Sequence, residues 1–298
     1  MKHLLSIFDL TPAEINELLS LAEKLKKERR RGILREDFKG KSLAMIFELP
    51  STRTRVSFEV AMTELGGHAL YLNWNDLQLG RGEPIKDTAR VLSRYVNAVM
   101  MRVKRHSILE EFAQYSSVPT INGLSDLEHP CQVLADLLTI KEKKGSLDGL
   151  KIAWIGDGNN VCNSLIIAST TLGMEIHIAC PKGYEPNAEI LKRVNLSKVK
   201  IEREPKNAAR NADVIYTDVW ASMGQEAERE RRLRAFRGYQ VNEELLKLSN
   251  NAIVMHCLPA HRGEEITEEV IESPNSVVFD QAENRLHMQK AILLKLIS

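Results

Sequence analysis

The chain has 298 residues, 43% of them hydrophobic, enough for two conventional cores of about 150 residues each or one large one. Forty-one Lys and Arg against 40 Asp and Glu leave a formal net charge of +1, so no global field gathers nucleic acid or an acidic membrane, and an anionic ligand must be held by local charge. The four cysteines, Cys131, Cys162, Cys180 and Cys257, form no Cys-x-x-Cys pair and no framework spacing, which points to a reducing compartment without disulfides.

The N-terminus opens on a short apolar run that Asp9 interrupts, with no small-residue cleavage site, so no signal peptide is read. Thr11, Pro12 and Glu14 spell a capping box with proline at the first helical position, and Leu18, Leu21, Ala22 and Leu25 fall on one face of the helix that follows. The basic run of residues 24–31 reads as the solvated end of that helix. Residues 43–47 form a buried strand, residues 51–55 a polar turn, and residues 56–65 a helix stopped by Gly66 and Gly67. The rhythm repeats: strand at 69–72, helix at 88–95, strand at 98–102, helix at 108–115, strand at 120–122. A helix over 132–143 runs into a polar stretch at 143–146 that suits a hinge between domains. A second series follows, with strands at 151–155, 175–179, 214–216, 253–255 and 277–279, helices at 161–172 and 188–194, and a last helix at 291–297. This alternation predicts an α/β chain with parallel sheets covered by helices. No apolar stretch reaches the ~18 residues that a bilayer span requires.

Several segments carry chemistry. Ser51, Thr52, Arg53, Thr54 and Arg55 stand where a helix N-terminus exposes free amides, and their hydroxyls and guanidinium forks suit phosphate; a helix cap with two solvated arginines is the alternative. His129, Pro130, Cys131 and Gln132 open a helix, where His129 and Gln132 can hydrogen-bond a carbonyl-type group or simply cap and fill the core. Gly156, Asp157 and Gly158 resemble part of a dinucleotide turn, but Val161 stands where the third glycine belongs, which disfavours a nicotinamide cofactor. Asn159 and Asn160 at that turn can instead hydrogen-bond an amino-acid substrate. Asp218 to Gly224 follow a strand, where an aspartate can hold an ammonium and loop amides a carboxylate; a plain turn is the alternative. The charged run at 226–234 reads as a solvated helical segment or loop. His256 and Cys257 also follow a strand, and residue chemistry alone does not separate a tuned thiol from an inert one. No histidine shows His-x-x-x-His or comparable ligand spacing, so neither a metal nor a cofactor is expected.

Taken together, Ser51 to Arg55, His129-Pro130-Cys131-Gln132, the loop from Asp218 through Ser222-Met223-Gly224, and His256-Cys257-Leu258-Pro259 resemble the ornithine carbamoyltransferase family, in order and spacing, across essentially the whole chain. The resemblance implies transfer of the carbamoyl group of carbamoyl phosphate to the side-chain amine of L-ornithine by direct attack, without a covalent enzyme intermediate. It implies two doubly wound α/β domains, each a parallel sheet flanked by helices: residues 1–132 with the returning C-terminal helix 283–298 for carbamoyl phosphate, and residues 133–282 for ornithine. It assigns Ser51, Thr52, Arg53 and Thr54 to the phosphate and Arg102, His129 and Gln132 to the carbamoyl end, has Arg285 add another positive charge, and counts Pro130 and Cys131 among the carbamoyl-phosphate-binding residues. Gln78 matches a loop position near a neighbouring subunit's site. Asn160, Asp218, Ser222 and Met223 are assigned to the α-amino and α-carboxylate groups of ornithine, with Cys257 and Leu258 beside the reacting amine; the mechanism expected has Cys257, coupled to Asp218 through His256, either orient or deprotonate that amine. Arg102, His129 and Cys257 are the catalytic candidates. The family implies a homotrimer or a multiple of trimers, and the family-like segment starts almost at Met1, which favours the cytoplasm. An aspartate-using relative resembles His-Pro-Leu-Pro where this chain has His256-Cys257-Leu258-Pro259, a putrescine-using one has no need of a Ser-Met-Gly loop, and a non-catalytic binding subunit has no need of every matched polar residue.

Overall fold

Thr11 opens α1 (Pro12–Arg30) through the expected capping box: its hydroxyl accepts from the Glu14 amide, and the Glu14 carboxylate accepts from the Thr11 amide. The computed structural model describes residues 2–221 and 228–297. The chain divides into two compact units, residues 1–138 with 283–298, and residues 139–282.

In the first unit, β1 (Ser42–Phe47), β2 (His68–Asn73), β3 (Ala98–Arg102) and β4 (Thr120–Leu124) form a parallel sheet in the order β2-β1-β3-β4. Parallel neighbours need crossovers, and these are supplied by α2 (Thr52–Glu64), α3 (Ile85–Leu92) and α4 (His106–Tyr115). All five residues of β3 are buried, as are the last five of β1, because helices cover both faces of the central strands. The chain leaves β1 first to one side and then to the other, so the switch point lies at the carboxyl ends of β1 and β3, where open α/β sheets bind ligands.

The second unit repeats the plan. β5 (Lys151–Ile155), β6 (Glu175–Ala179), β7 (Val199–Glu202), β8 (Val214–Thr217) and β9 (Ile253–His256) are parallel in the order β7-β6-β5-β8-β9, with the switch point between β5 and β8. The connections carry α6 (Asn160–Thr171), α7 (Ala188–Arg193), α8 (Pro205–Ala209), α9 (Arg229–Ala235) and α10 (Glu243–Lys247), and α11 (Glu268–Ile271) follows β9. Trp154 and Tyr216, on neighbouring central strands, pack with ring centroids 5.0 Å apart. At the β5 turn, Gly158 is required: its amide donates to the Tyr184 carbonyl, and a Cβ there would lie 2.2 Å from the Pro186 nitrogen. The chain passes between the units within α5 (Pro130–Lys144) and α12 (Val278–Leu296), so the C-terminal helix returns to the first unit.

Three expectations are corrected. Residues 277–279 are not a strand: pairing is limited to a single Val254–Ser276 bridge, after which α12 begins. The basic end of α1 is not wholly solvated, since Lys26 is buried and its Nζ donates to Asn284 Oδ1 at 2.7 Å. In the charged run at 226–234, Arg232 is likewise buried.

Candidate active site

At the first switch point, Ser51 caps α2: its backbone is extended and its hydroxyl accepts from the Thr54 amide at 3.2 Å. A helix start of this kind is an anion-binding arrangement, and Arg53 lies on its first turn. Thr54 is buried, and its hydroxyl accepts from Arg285 Nη2 at 2.7 Å, which ties α12 to the cap. Arg55 turns elsewhere, stacked 3.9 Å over the Tyr71 ring and paired with Glu59.

Arg102 ends β3 beside Phe47, the last residue of β1, and is 6% exposed. His129 precedes α5 and is itself buried. Burial holds its imidazole well below its usual pKa, and Arg285, Arg102 and Arg53, in that order, push it lower still. The structure therefore gathers three guanidiniums around a neutral imidazole that can donate one N–H without adding a titrating charge. Gln132 donates its amide nitrogen to Asp136 Oδ1 at 2.8 Å, which leaves its carbonyl oxygen buried and without a hydrogen-bond partner among the described residues. Cys131 donates its thiol to the Asn122 carbonyl, and burial pushes that thiol up to about 12, so it is no nucleophile at neutral pH. Pro130 opens α5, where its missing N–H costs nothing. Gln78 is exposed at the start of a 3-10 turn, and no hydrogen bond joins it to the arginines among the described residues.

At the second switch point a hydrogen-bonded chain runs across three strand ends. Asn159 caps α6 with its side-chain oxygen and donates its amide nitrogen to Asp218 Oδ2 at 2.8 Å. Asp218, just past β8 and 7% exposed, accepts on Oδ1 from the Val219 amide and from Cys257 Sγ at 3.0 Å. Asn160 turns its side-chain oxygen to the Val161 amide. Leu258 has a φ of 61°, a left-handed backbone that a branched side chain rarely adopts, and this directs the chain away after Cys257. Ser222 and Met223 lie outside the described residues.

The expected link from Cys257 to Asp218 through His256 is not made. The thiol reaches the carboxylate directly, while His256 is turned inward, its Nε2 at 2.9 Å from Glu265 Oε1 and its Nδ1 accepting from the Leu258 amide. Those bonds fix the proton on Nε2 and make His256 and Glu265 a brace for the turn that carries Cys257. Asp218, His256 and Cys257 bring potential ligand atoms within 4.8 Å of one another, yet both ring nitrogens of His256 are already engaged. A second brace is Arg232. Its Nη1 donates to Asp157 Oδ2 at 2.9 Å and to the Trp220 carbonyl at 3.0 Å, joining the turn after β5 to the segment after β8. Sequence reading missed Arg232 and Glu265, and the only signal for either was a charge embedded in a segment otherwise explained.

The carbamoyl-P binding domain of the aspartate/ornithine carbamoyltransferases matches residues 2–142, and the Asp/Orn binding domain of the same family matches residues 148–296. The chain belongs to the aspartate/ornithine carbamoyltransferase family. Among its relatives, an ornithine carbamoyltransferase of Archaeoglobus fulgidus is 67% identical over 100% of this chain and 98% of that protein. The ornithine carbamoyltransferase structure from Pyrococcus furiosus superposes with a TM-score of 0.95 at 56% identity, covering 98% of this chain and 96% of that one. The Thermus thermophilus ornithine carbamoyltransferase gives a TM-score of 0.92 at 50% identity, covering 100% and 99%. Both carbamoyltransferase domains thus coincide with a switch point: the arginine cluster lies within the carbamoyl-P match, save for Arg285, which α12 brings back, and the Asp218–Cys257 chain lies within the Asp/Orn match. No helix among the described residues is long and apolar enough to cross a membrane.

Proposed function

We infer that this chain catalyses transfer of the carbamoyl group of carbamoyl phosphate to the side-chain amine of L-ornithine, giving L-citrulline and phosphate. The observation that carries this reading is the polarity of the two switch points. One gathers Arg53, Arg102 and Arg285 around neutral His129, and the other presents a carboxylate whose acceptor oxygens receive Asn159 and Cys257.

In the first, Ser51, Thr52, Arg53 and Thr54 receive the phosphate on the α2 amides and side chains, and Arg285 steadies Thr54 while adding charge. Arg102 and His129 direct N–H groups at the carbonyl oxygen, and the Gln132 oxygen accepts from the carbamoyl amino group, which is the donor that its buried carbonyl lacks. Pro130 and Cys131 shape the turn that presents them. Asn160, Asp218, Ser222 and Met223 hold the α-amino and α-carboxylate groups of ornithine, and Cys257 and Leu258 flank its side-chain amine.

The neutral amine nitrogen attacks the carbonyl carbon with its lone pair, the bond from that carbon to the phosphate oxygen breaks, and phosphate leaves with the electron pair and takes up the proton that the nitrogen sheds. Arginines and His129 stabilise charge on the carbonyl oxygen and on the departing phosphate, and such fixed donors carry most of a barrier of this kind. No covalent enzyme intermediate is needed, and Cys257, which donates its proton to Asp218, orients the amine. Gln78 completes the carbamoyl phosphate site of a neighbouring subunit in a homotrimer or multiple of trimers, and the enzyme works in the cytoplasm. The test offers purified protein carbamoyl phosphate with ornithine, putrescine, aspartate or N-acetylornithine and identifies each product. Turnover with ornithine alone is expected; preference for another acceptor would overturn the reading of the Asp218 segment, and silence with all four the catalytic reading itself.

A further inference from the structure

Beyond β9 the chain makes a tight turn that brings together three potential metal ligands, of which only Glu265 has a place in the transfer site, as the brace on His256. The Glu264 amide donates to the His261 carbonyl at 2.9 Å, the Gly263 amide to the Ile266 carbonyl at 2.8 Å, and Gly263 takes the left-handed φ of 87° that the turn requires. Gln240 clamps the same turn by donating to the Gly263 and Glu264 carbonyls at 2.9 and 3.0 Å. His261 Nδ1 then stands 3.9 Å from Glu264 Oε2 and 4.0 Å from Glu265 Oε2, and one donor atom from each residue lies within 4.8 Å of the others.

Glu265 is the anomaly in this group. Its side chain is fully buried, and Oε1 receives both His256 Nε2 and, at 2.6 Å, the His261 amide. Oε2 is equally buried and has no hydrogen-bond partner among the described residues, although it faces the His261 ring. A buried carboxylate oxygen is ordinarily satisfied by a donor or a cation. Arg229 engages Glu264 through Oε1 and leaves Oε2 to the turn, while Arg262 is turned to Glu268 and Glu272. Half-exposed His261 and partly exposed Glu264 form the open side, through which an ion and its waters can enter.

We propose that His261, Glu264 and Glu265 form a binding site for a borderline divalent transition-metal ion of the Zn²⁺ or Co²⁺ kind, with solvent completing its coordination. One imidazole nitrogen with two carboxylate oxygens is a donor set that such ions accept at about 2.0–2.2 Å, whereas Mg²⁺ and Ca²⁺ favour all-oxygen shells. Small rotations of His261 and Glu264 bring the donors in from their present separations. The spacing is His-x-x-Glu-Glu in a turn, which a search for helical ligand pairs does not detect. The ion takes no part in the transfer. By drawing charge from Glu265, it weakens the brace on His256, whose Nδ1 holds the Leu258 amide next to Cys257, so occupancy lowers turnover with ornithine.

The experiment is a Co²⁺ titration of the purified full chain followed by absorption. One Co²⁺ per chain is expected, with visible ligand-field bands and no thiolate-to-metal charge-transfer band. His261→Ala and Glu264→Gln, both at partly exposed positions, should each weaken binding at least tenfold, and Cys257→Ser should leave it unchanged. A charge-transfer band that vanishes in Cys257→Ser would put the ion at Asp218 and Cys257 instead and overturn the proposal. So would undiminished binding in His261→Ala, or no stoichiometric binding by the parent, a result that depends on no variant folding.

Discussion

The two switch points solve different electrostatic problems with the same α/β frame. In the first unit the charges are fixed: arginines do not deprotonate, and burial, reinforced by Arg285, Arg102 and Arg53, keeps His129 neutral, so the cluster presents the same field across the physiological pH range. In the second unit the groups are exchangeable, a thiol donating to a carboxylate with an amide on its other oxygen and a carboxyl–guanidinium pair bracing the loops around them. The contrast follows from the ligands. An acyl phosphate, with its polarised carbonyl, demands permanent positive charge, whereas an amine nucleophile must be held as it gives up a proton.

The largest test of this contrast removes a fixed charge. Arg102→Ala should lower kcat by about 10²–10³-fold, the loss typical of one preorganised donor on a developing oxyanion, without changing the shape of the pH–rate profile. Arg102→Lys should recover little, because a point charge does not reproduce a fork fixed beside β1. Steady-state citrulline assays decide it, and full activity with lysine would show that only charge matters and dissolve the distinction from the second unit. The next effect is on stability and belongs to the exchangeable side. Burial pushes Asp157 from its usual 3.8 up to about 6, against the pull of Arg232. Its proton is held more tightly in the folded chain, so its stabilising contribution is complete below about pH 4 and is lost as pH rises through about 6. Asp157→Asn has no such titration. The stability of the parent relative to this variant should therefore fall by up to about 3 kcal/mol between pH 4 and pH 7 in paired urea denaturations. A pH-independent difference would mean that Arg232 keeps the carboxyl ionised throughout.

Much of this frame is legible in the sequence because the signals are local. The capping box at Thr11 and the buried run of β1 depend only on neighbours in the chain, and so does the anion-ready cap at Ser51. What escapes depends on distant partners. β7 is an edge strand carrying Lys200 and Glu202, so it lacks the apolar run that marks a buried strand. The β-branched residues Val277 and Val278 suggest a strand, but the segment enters α12, where Gln281 accepts from the His256 amide. Lys26 and Arg232 sit in charged runs whose simplest reading is solvent, and each is buried by a partner far along the chain, Asn284 and Asp157 respectively. The candidate site divides the same way. The residues were recognisable, but the direct bond from Cys257 to Asp218 and the inward turn of His256 onto Glu265 are tertiary facts.

The smallest expected effect is the sharpest on mechanism, and it concerns Cys257. If the thiol were the base that deprotonates the amine, it would have to become a thiolate beside Asp218, and a second negative charge next to a carboxylate is disfavoured. As an orienting group it keeps its proton on the bond to Asp218 and offers sulfur lone pairs to the amine. Cys257→Ser separates the two, since a hydroxyl preserves the donor to Asp218 but does not ionise in the working pH range. Orientation predicts a loss of about tenfold in kcat/KM for ornithine, with the pH profile unchanged in shape and the KM for carbamoyl phosphate unaffected. General-base catalysis predicts a loss of about 10²–10⁴-fold and a missing limb in the profile. The second outcome would place the proton transfer on sulfur and leave Asp218 to raise the thiol's basicity, so the exchangeable half of the molecule would be a base in its own right.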